Sequence, residues 1–264
     1  MVETRLCRSA QTRTRAGNIV LPSRLNIHIE TSRDAAARLA AEQVVHVLSS
    51  TLKERASASL VLSGGETPRR VYQLLGSESY NRQVAWDRVQ FFFGDERMVS
   101  SDHPDSNFGM ARRELFAHLS VPANNIHRIH GELEPEKAAI KYSDELPSTF
   151  EMKIPRFDCV MLGIGEDGHT ASLFPGTQGP SEKRKNVIAL FVPRLKVWRV
   201  SLTFPVINNA RQIMFLADGK KKASIVQKVI ESAAPTPDLP ATMVRPTDGV
   251  VHWILDAEAA SQIR

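Results

Sequence analysis

A chain of 264 residues, 42% hydrophobic and 24% charged, has ordinary globular composition, enough for one large α/β domain or two small ones. No apolar run reaches the roughly 18 residues of a membrane span. Two distant cysteines, Cys7 and Cys159, offer no disulfide framework, so a reducing intracellular compartment is expected. The formal charge of +5 is unevenly spread. Residues 1–24 hold five arginines against one glutamate, a net +4, which leaves +1 for residues 25–264 and argues against nucleic-acid binding by the folded part.

The first 24 residues lack an apolar h-region and do not read as a secretory signal. Their Arg- and Thr-containing, acid-poor composition is shared with organelle transit peptides, but a disordered basic extension, or an upstream start codon, is the preferred reading, with the chain cytoplasmic. From Leu25 the pattern alternates between strand and helix. Leu25–Glu30 alternates apolar with polar, and Asp34–Arg55 carries helical spacing through Ala37, Ala40, Ala41, Val44, Val45 and Leu48. A short strand, Ser59–Leu62, runs into a helix whose first position suits Pro68 and which continues over Arg69–Gly76. Val89–Phe93 is the next strand, followed by a helix over Phe108–Leu119, a short strand Ile126–Ile129 and a helix near Pro135–Leu146. Strands are then expected at Asp158–Leu162, Val187–Val192, Arg199–Phe204 and Gln212–Ala217. A helix over Lys221–Ser232, a surface loop Ala233–Pro240, a strand Val250–Leu255 and a short helix close the chain. This alternation predicts an α/β fold with a mostly parallel, doubly wound sheet and helices on both faces, in a single domain over residues 25–264.

Four loops carry candidate chemistry. Asp158–Gly176 leaves a buried-type strand through three glycines and presents Asp167 and His169. A histidine at the carboxyl end of a strand sits where open α/β sheets place ligands, and it exchanges protons near neutral pH. The same loop spells Gly163-x-Gly165-x-x-Gly168, as in dinucleotide sites. Any helix after Gly168 meets Pro175 within about two turns, and no acidic residue stands at the expected distance for a ribose, so NAD is not expected. Ser63-Gly-Gly-Glu-Thr-Pro68 joins a strand to a helix start, and its free N–H groups suit an anion or make a plain turn. Gly94-Asp-Glu-Arg97 brings two acids and an arginine to a strand end. Lys220-Lys-Lys222 opens a helix against the helix dipole, which favours a compensating anion. His127, His130, His103 and His118 lack zinc spacing with cysteine, so no metal is expected.

Six motifs in order resemble the 6-phosphogluconolactonase family: Ser63–Pro68, Phe93–Arg97, Ser106-Asn107, Gly163–Gly176, Arg199–Pro205 and Gly219–Ala223. The ending Val244-Arg-Pro-Thr-Asp-Gly249 also matches, and the resemblance runs from about Leu25 to the C-terminus. It implies hydrolysis of 6-phospho-D-glucono-1,5-lactone in the oxidative pentose phosphate pathway, on a Rossmann-like sheet without a nucleotide, with no cofactor. It also implies His169 as general base, Asp167 and Asp95 as active-site acids, and Arg97 and Asn107 as substrate contacts. The phosphate is implied to rest on Gly64, Gly65 and Thr67, with Lys222 and Arg199 nearby. Residues Pro193–Trp198 lack the proline-rich spelling common before this arginine. The small sugar phosphate is the expected partner, with the protein a monomer or weak homodimer and no membrane or nucleic acid involved. Two other readings stand beside this one. Amino-sugar phosphate isomerases or deaminases of the same fold carry a glutamate five residues past the loop histidine, where this chain has Phe174. A non-catalytic sugar-phosphate sensor needs a DNA-binding module, for which 24 residues are too few.

Overall fold

The computed structural model describes residues 24–150 and 154–264; the expected N-terminal extension lies outside them up to residue 23. The strands are β1 (Arg24–Glu30), β2 (Ala58–Leu62), β3 (Val89–Phe93), β4 (Asp95–Arg97), β5 (Cys159–Gly163), β6 (Val187–Val192), β7 (Val197–Leu202), β8 (Gln212–Ala217) and β9 (Val250–Asp256). The helices are α1 (Arg33–Glu54), α2 (Glu66–Gly76), α3 (Asn107–Glu114), α4 (Pro135–Phe150), α5 (Phe204–Ile207) and α6 (Ala223–Ile230).

Six strands make one parallel sheet in the order β1-β9-β8-β5-β2-β3. Its central strands are almost wholly apolar because both faces are covered: every residue of β2 is buried, as are Cys159 to Leu162 of β5. Cys159 is a buried free thiol, as a strand-interior cysteine is expected to be. Helix α1 starts where the Ser32 hydroxyl accepts from the Ala35 N–H at 3.2 Å, and it buries a stripe from Ala36 to Leu52. Small alanines on that stripe let the helix lie close to the sheet and to α2.

The strand order fixes where the sheet can bind a ligand. The chain leaves β2 towards β3 on one side, and leaves β5 towards β8 on the other. Right-handed crossovers therefore send the two connections to opposite faces of the sheet. β2 and β5 are neighbours, paired at Leu60–Cys159 and Val61–Val160, so a crevice opens between their carboxyl ends. That is a topological switch point, where ligands of open α/β sheets bind.

A second, antiparallel sheet has the order β4-β7-β6. Gly94 joins the two sheets, donating its N–H to the Leu62 carbonyl and accepting from the Leu202 N–H, each at 2.9 Å. Val187–Val192 and Arg199–Leu202 thus belong to this small sheet and not to the parallel one.

Several expected elements differ, among them the strand expected to reach Phe204, which ends at Leu202, and the helix expected to reach Leu119, which ends at Glu114. Helix α2 begins at Glu66 with Gly65 as its N-cap at φ 111°, two residues before the proline. Pro68 fits inside the first turn because its missing N–H would have no intrahelical partner there. Residues 126–129 form no strand; one bridge, Phe91–Ile126, continues the sheet edge before His127 turns to side-chain partners. The segment after Gly168 and the C-terminal residues after Asp256 are turns rather than helices.

Candidate active site

The loop leaving β5 is a tight turn closed by two backbone bonds, Gly168 N–H to the Gly165 carbonyl at 3.0 Å and Gly165 N–H to the His169 carbonyl at 2.8 Å. Gly168 has φ 80°, a left-handed value that glycine adopts without steric cost. Gly165 is demanded by space, since a Cβ there would lie 2.0 Å from His169 Nδ1 and 2.6 Å from Asp167 Oδ1. The room it leaves is filled by a dyad: His169 Nδ1 stands 2.5 Å from Asp167 Oδ1. An ionised Asp167 accepts the Nδ1–H, which leaves the Nε2 lone pair as proton acceptor. Burial alone would raise the Asp167 pKa, but the hydrogen bonds from His169 and the charge of Arg194 outweigh it and hold the carboxyl at about 2. Phe174 stacks on the imidazole, ring centroids 3.9 Å apart. The His169 side chain is 25% exposed.

No helix forms after this turn because its polar side chains bond elsewhere. Thr170 Oγ1 donates to the Gly163 carbonyl at 2.9 Å, and Ser172 Oγ donates to Asp95 Oδ2 at 2.6 Å. Ala171 between them has φ 49°, an uncommon left-handed value for a residue with a side chain. The Gly163-x-Gly165-x-x-Gly168 spelling is therefore followed by turns, without a helix to face a pyrophosphate.

The loop after β2 lies across the crevice. Tyr72 clasps it, donating its hydroxyl to the Ser63 carbonyl at 2.7 Å and accepting from the Ser63 N–H at 2.9 Å. A Cβ on Gly64 would fall 1.9 Å from Asn107 Oδ1, so that loop and the start of α3 are in close contact. Asn107 is buried and donates its side-chain N–H to the Asp95 carbonyl at 2.8 Å. Ser63, Gly64, Asn107, Asp95, Ser172 and the histidine loop thus form one connected group. Thr67 is half-buried in the first turn of α2.

The three-residue strand β4 splits its charges between two faces. Glu96 points away from the group and caps α3, accepting from the Asn107 N–H at 2.8 Å, the Phe108 N–H at 2.9 Å and the Ser106 hydroxyl at 3.1 Å. Burial raises its pKa although these donors oppose the rise. Asp95 and Arg97 share the other face and pair with Ser201 and Arg199 of β7. Arg97 donates to the Asp105 carbonyl. Burial first, and Arg97 next, depress the Arg199 pKa. Like charges directly opposite on a sheet are destabilising, and an anion between them would relieve that cost. A cavity of about 720 Å³ adjoins the two arginines, lined also by Lys196 and Trp198, and stops short of His169.

Lys222 stands in the turn before α6 and donates through Nζ to the Ile164 carbonyl at 2.8 Å, which ties it to the histidine loop. Three contributors are not legible from spacing: Ser172, Phe174 as a stacking partner, and Arg194, whose Nη2 lies 2.7 Å from Asp167 Oδ2. Only Ser172 had a local signal, a hydroxyl three residues beyond the histidine. His127 is structural, held between Glu145 at 2.6 Å and Gln90 at 2.8 Å. No helix among the described residues is long and apolar enough to cross a membrane.

The family model for glucosamine-6-phosphate isomerases/6-phosphogluconolactonase matches residues 31–253. A 6-phosphogluconolactonase of Aggregatibacter actinomycetemcomitans is 36% identical over 234 residues, 89% of this chain and 97% of that protein. The 6-phosphogluconolactonase of Homo sapiens is 36% identical over 229 residues, 86% and 87% of the two chains. Among solved structures, 6-phosphogluconolactonase from Trypanosoma cruzi superposes with a TM-score of 0.80 at 31% identity, covering 91% of this chain and 97% of the other.

Proposed function

The chain belongs to the family of glucosamine-6-phosphate isomerases and 6-phosphogluconolactonases, and we propose that within it the chain is a lactonase. It hydrolyses 6-phospho-D-glucono-1,5-lactone to 6-phosphogluconate, a step of the oxidative pentose phosphate pathway, in the cytoplasm and as one domain over residues 25–264. The observation that carries this reading is the His169–Asp167 dyad at the switch point, with Nε2 free of protein partners among the described residues.

A lactone is an activated ester, so its hydrolysis needs water, a base and charge stabilisation rather than a covalent nucleophile. His169 Nε2 takes a proton from water as the oxygen attacks the lactone carbonyl carbon. The tetrahedral intermediate collapses, the bond from carbon to ring oxygen breaks, and the imidazolium returns its proton to that oxygen. Asp167 stays ionised throughout, holds the imidazole in one tautomer and stabilises its charged form. The phosphate is bound by the N–H groups around Gly64, Gly65 and Thr67 together with Lys222 and Arg199. Arg97 is the remaining charged substrate contact, while Asp95 and the buried Asn107 join the phosphate loop to the histidine loop.

Phe174 favours lactone hydrolysis over sugar-ring opening. It stacks on His169 in the position where the isomerases and deaminases carry glutamate, and an apolar ring cannot relay a proton. The expected result for His169→Ala is a kcat lower by at least about 10²-fold, the low end of what a positioned base contributes, with the melting temperature preserved. Near wild-type turnover in a folded variant would remove His169 from the mechanism.

A further inference from the structure

We infer that Arg194 is a positioning residue of the dyad, acting from the β6–β7 hairpin through Asp167. The inference rests on the reading of His169 as base. Asp167 has two carboxylate oxygens and two partners: Oδ1 faces His169 Nδ1 at 2.5 Å, and Oδ2 faces Arg194 Nη2 at 2.7 Å. The carboxylate is gripped from both sides, so its plane, and with it the direction of the imidazole, is fixed by groups from two distant parts of the chain. The guanidinium carbon also stands 5.8 Å from the centroid of Phe174, the ring that stacks on His169. Arg194 therefore braces both supports of the imidazole.

The hairpin is shaped to deliver this contact. β6 and β7 pair from Val187–Leu202 to Val192–Val197, and the turn between them holds Pro193, Arg194, Leu195 and Lys196. Lys196 takes φ 53°, which closes the turn tightly, and the Leu195 N–H bonds back to the Val192 carbonyl at 3.1 Å. Pro193 has its φ fixed by its ring. Arginine suits the site because its fork stays charged and presents N–H groups in a plane to a carboxylate. The Arg194 side chain is 59% exposed against 16% for Asp167, so the pair is formed from the solvent side of the dyad.

The test compares wild type, Arg194→Gln, Arg194→Lys and His169→Ala on freshly generated 6-phosphogluconolactone, with full pH profiles of kcat and kcat/KM. Arg194→Gln should lower kcat about fivefold, the upper end for a half-exposed ion pair, with KM within about twofold. Removing a cation beside the dyad also eases its protonation, so the acid limb of the kcat/KM profile should move to higher pH. Arg194→Lys keeps the charge but not the planar fork; it should restore the position of the acid limb and recover only part of kcat. A purely structural role would lower the melting temperature and leave the acid limb in place. An unmoved acid limb in Arg194→Gln, or a raised KM with unchanged kcat, overturns the inference while His169→Ala remains inactive. An active His169→Ala instead overturns the catalytic reading itself.

Discussion

The two sheets place chemistry by different physical means. In the parallel sheet the central strands are almost wholly apolar, and the candidate functional groups stand in the loops beyond their carboxyl ends, at Ser63–Thr67 and Gly163–His169. In the antiparallel sheet the charged side chains stand within the strands themselves: Asp95 and Arg97 on β4, Arg199 on β7. A sheet buried on both faces cannot hold charges in its strands without strong compensation, so it offers loop geometry. A small sheet with one open side can present charges from a rigid frame. On the proposed reading the parallel sheet supplies the base, His169, and the small sheet the cations Arg97 and Arg199.

The largest test of that division lies in the parallel sheet's loop. Gly165→Ala would put a methyl 2.0 Å from His169 Nδ1 and force the imidazole off Asp167. A loss of kcat on the order of 10²-fold is expected, comparable to losing the base, together with a lower melting temperature because Gly165 is buried and its neighbours must shift. Full activity would mean that the loop does not fix the imidazole by crowding.

The small sheet is more exposed to a loss of stability. Glu96→Ala leaves the N–H groups of buried Asn107 and half-buried Phe108 without their acceptor. Each unmet buried donor costs about 1–3 kcal/mol, and a loss of that size lowers the melting temperature by roughly 5 °C. An unchanged thermal midpoint would show that α3 is held by its other contacts.

Acid sensitivity of folding, by contrast, is expected at the far edge of the parallel sheet. Burial first, and the neighbouring His28 next, hold the His252 pKa at about 4, against an ordinary 6.5. The folded state therefore binds fewer protons than the unfolded chain in that interval, and stability falls as pH drops from about 6.5 to about 4. Urea unfolding of His252→Gln across that range should show a flatter dependence than wild type. An unchanged slope would place the acid sensitivity elsewhere.

The smallest effect separates stability from function at the arginine pair. Arg199→Met removes like-charge repulsion against Arg97 and should raise stability by a few tenths of a kcal/mol, while KM for the phosphorylated lactone rises. A variant with lower stability and unchanged KM would contradict the assignment of Arg199 to the anion.

The same contrast explains what could be read from the sequence. The mostly apolar runs at 59–62, 89–93, 158–162, 212–217 and 250–255 marked the parallel sheet because burial on both faces leaves a local signature. His169 and Asp167 were legible for a related reason, since glycines crowd a strand end only where the backbone turns sharply. The strand β4 was not legible as a strand. Asp95-Glu-Arg97 is charged throughout, and it is extended only because β7 pairs with it from a hundred residues downstream. The grip of Arg194 on Asp167 and the cap of Glu96 on α3 are likewise tertiary contacts with no periodicity to betray them. Residues 126–129 and the segment after Gly168 had strand and helix patterns, but hydrogen bonds from His127, Thr170 and Ser172 to partners outside their own segments decided otherwise.

Hydrolysis of a phosphorylated sugar lactone at the site around His169 is the premise of every kinetic prediction above. It is tested most directly by adding the purified protein to freshly generated 6-phosphogluconolactone and to gluconolactone, and following ring opening against the uncatalysed rate. Rapid turnover of the phosphorylated lactone with kcat/KM at least about 10²-fold below it for gluconolactone is the predicted result, since remote binding energy is used to position the reacting carbonyl. Equal kcat/KM on both lactones, or no acceleration of either, would contradict it.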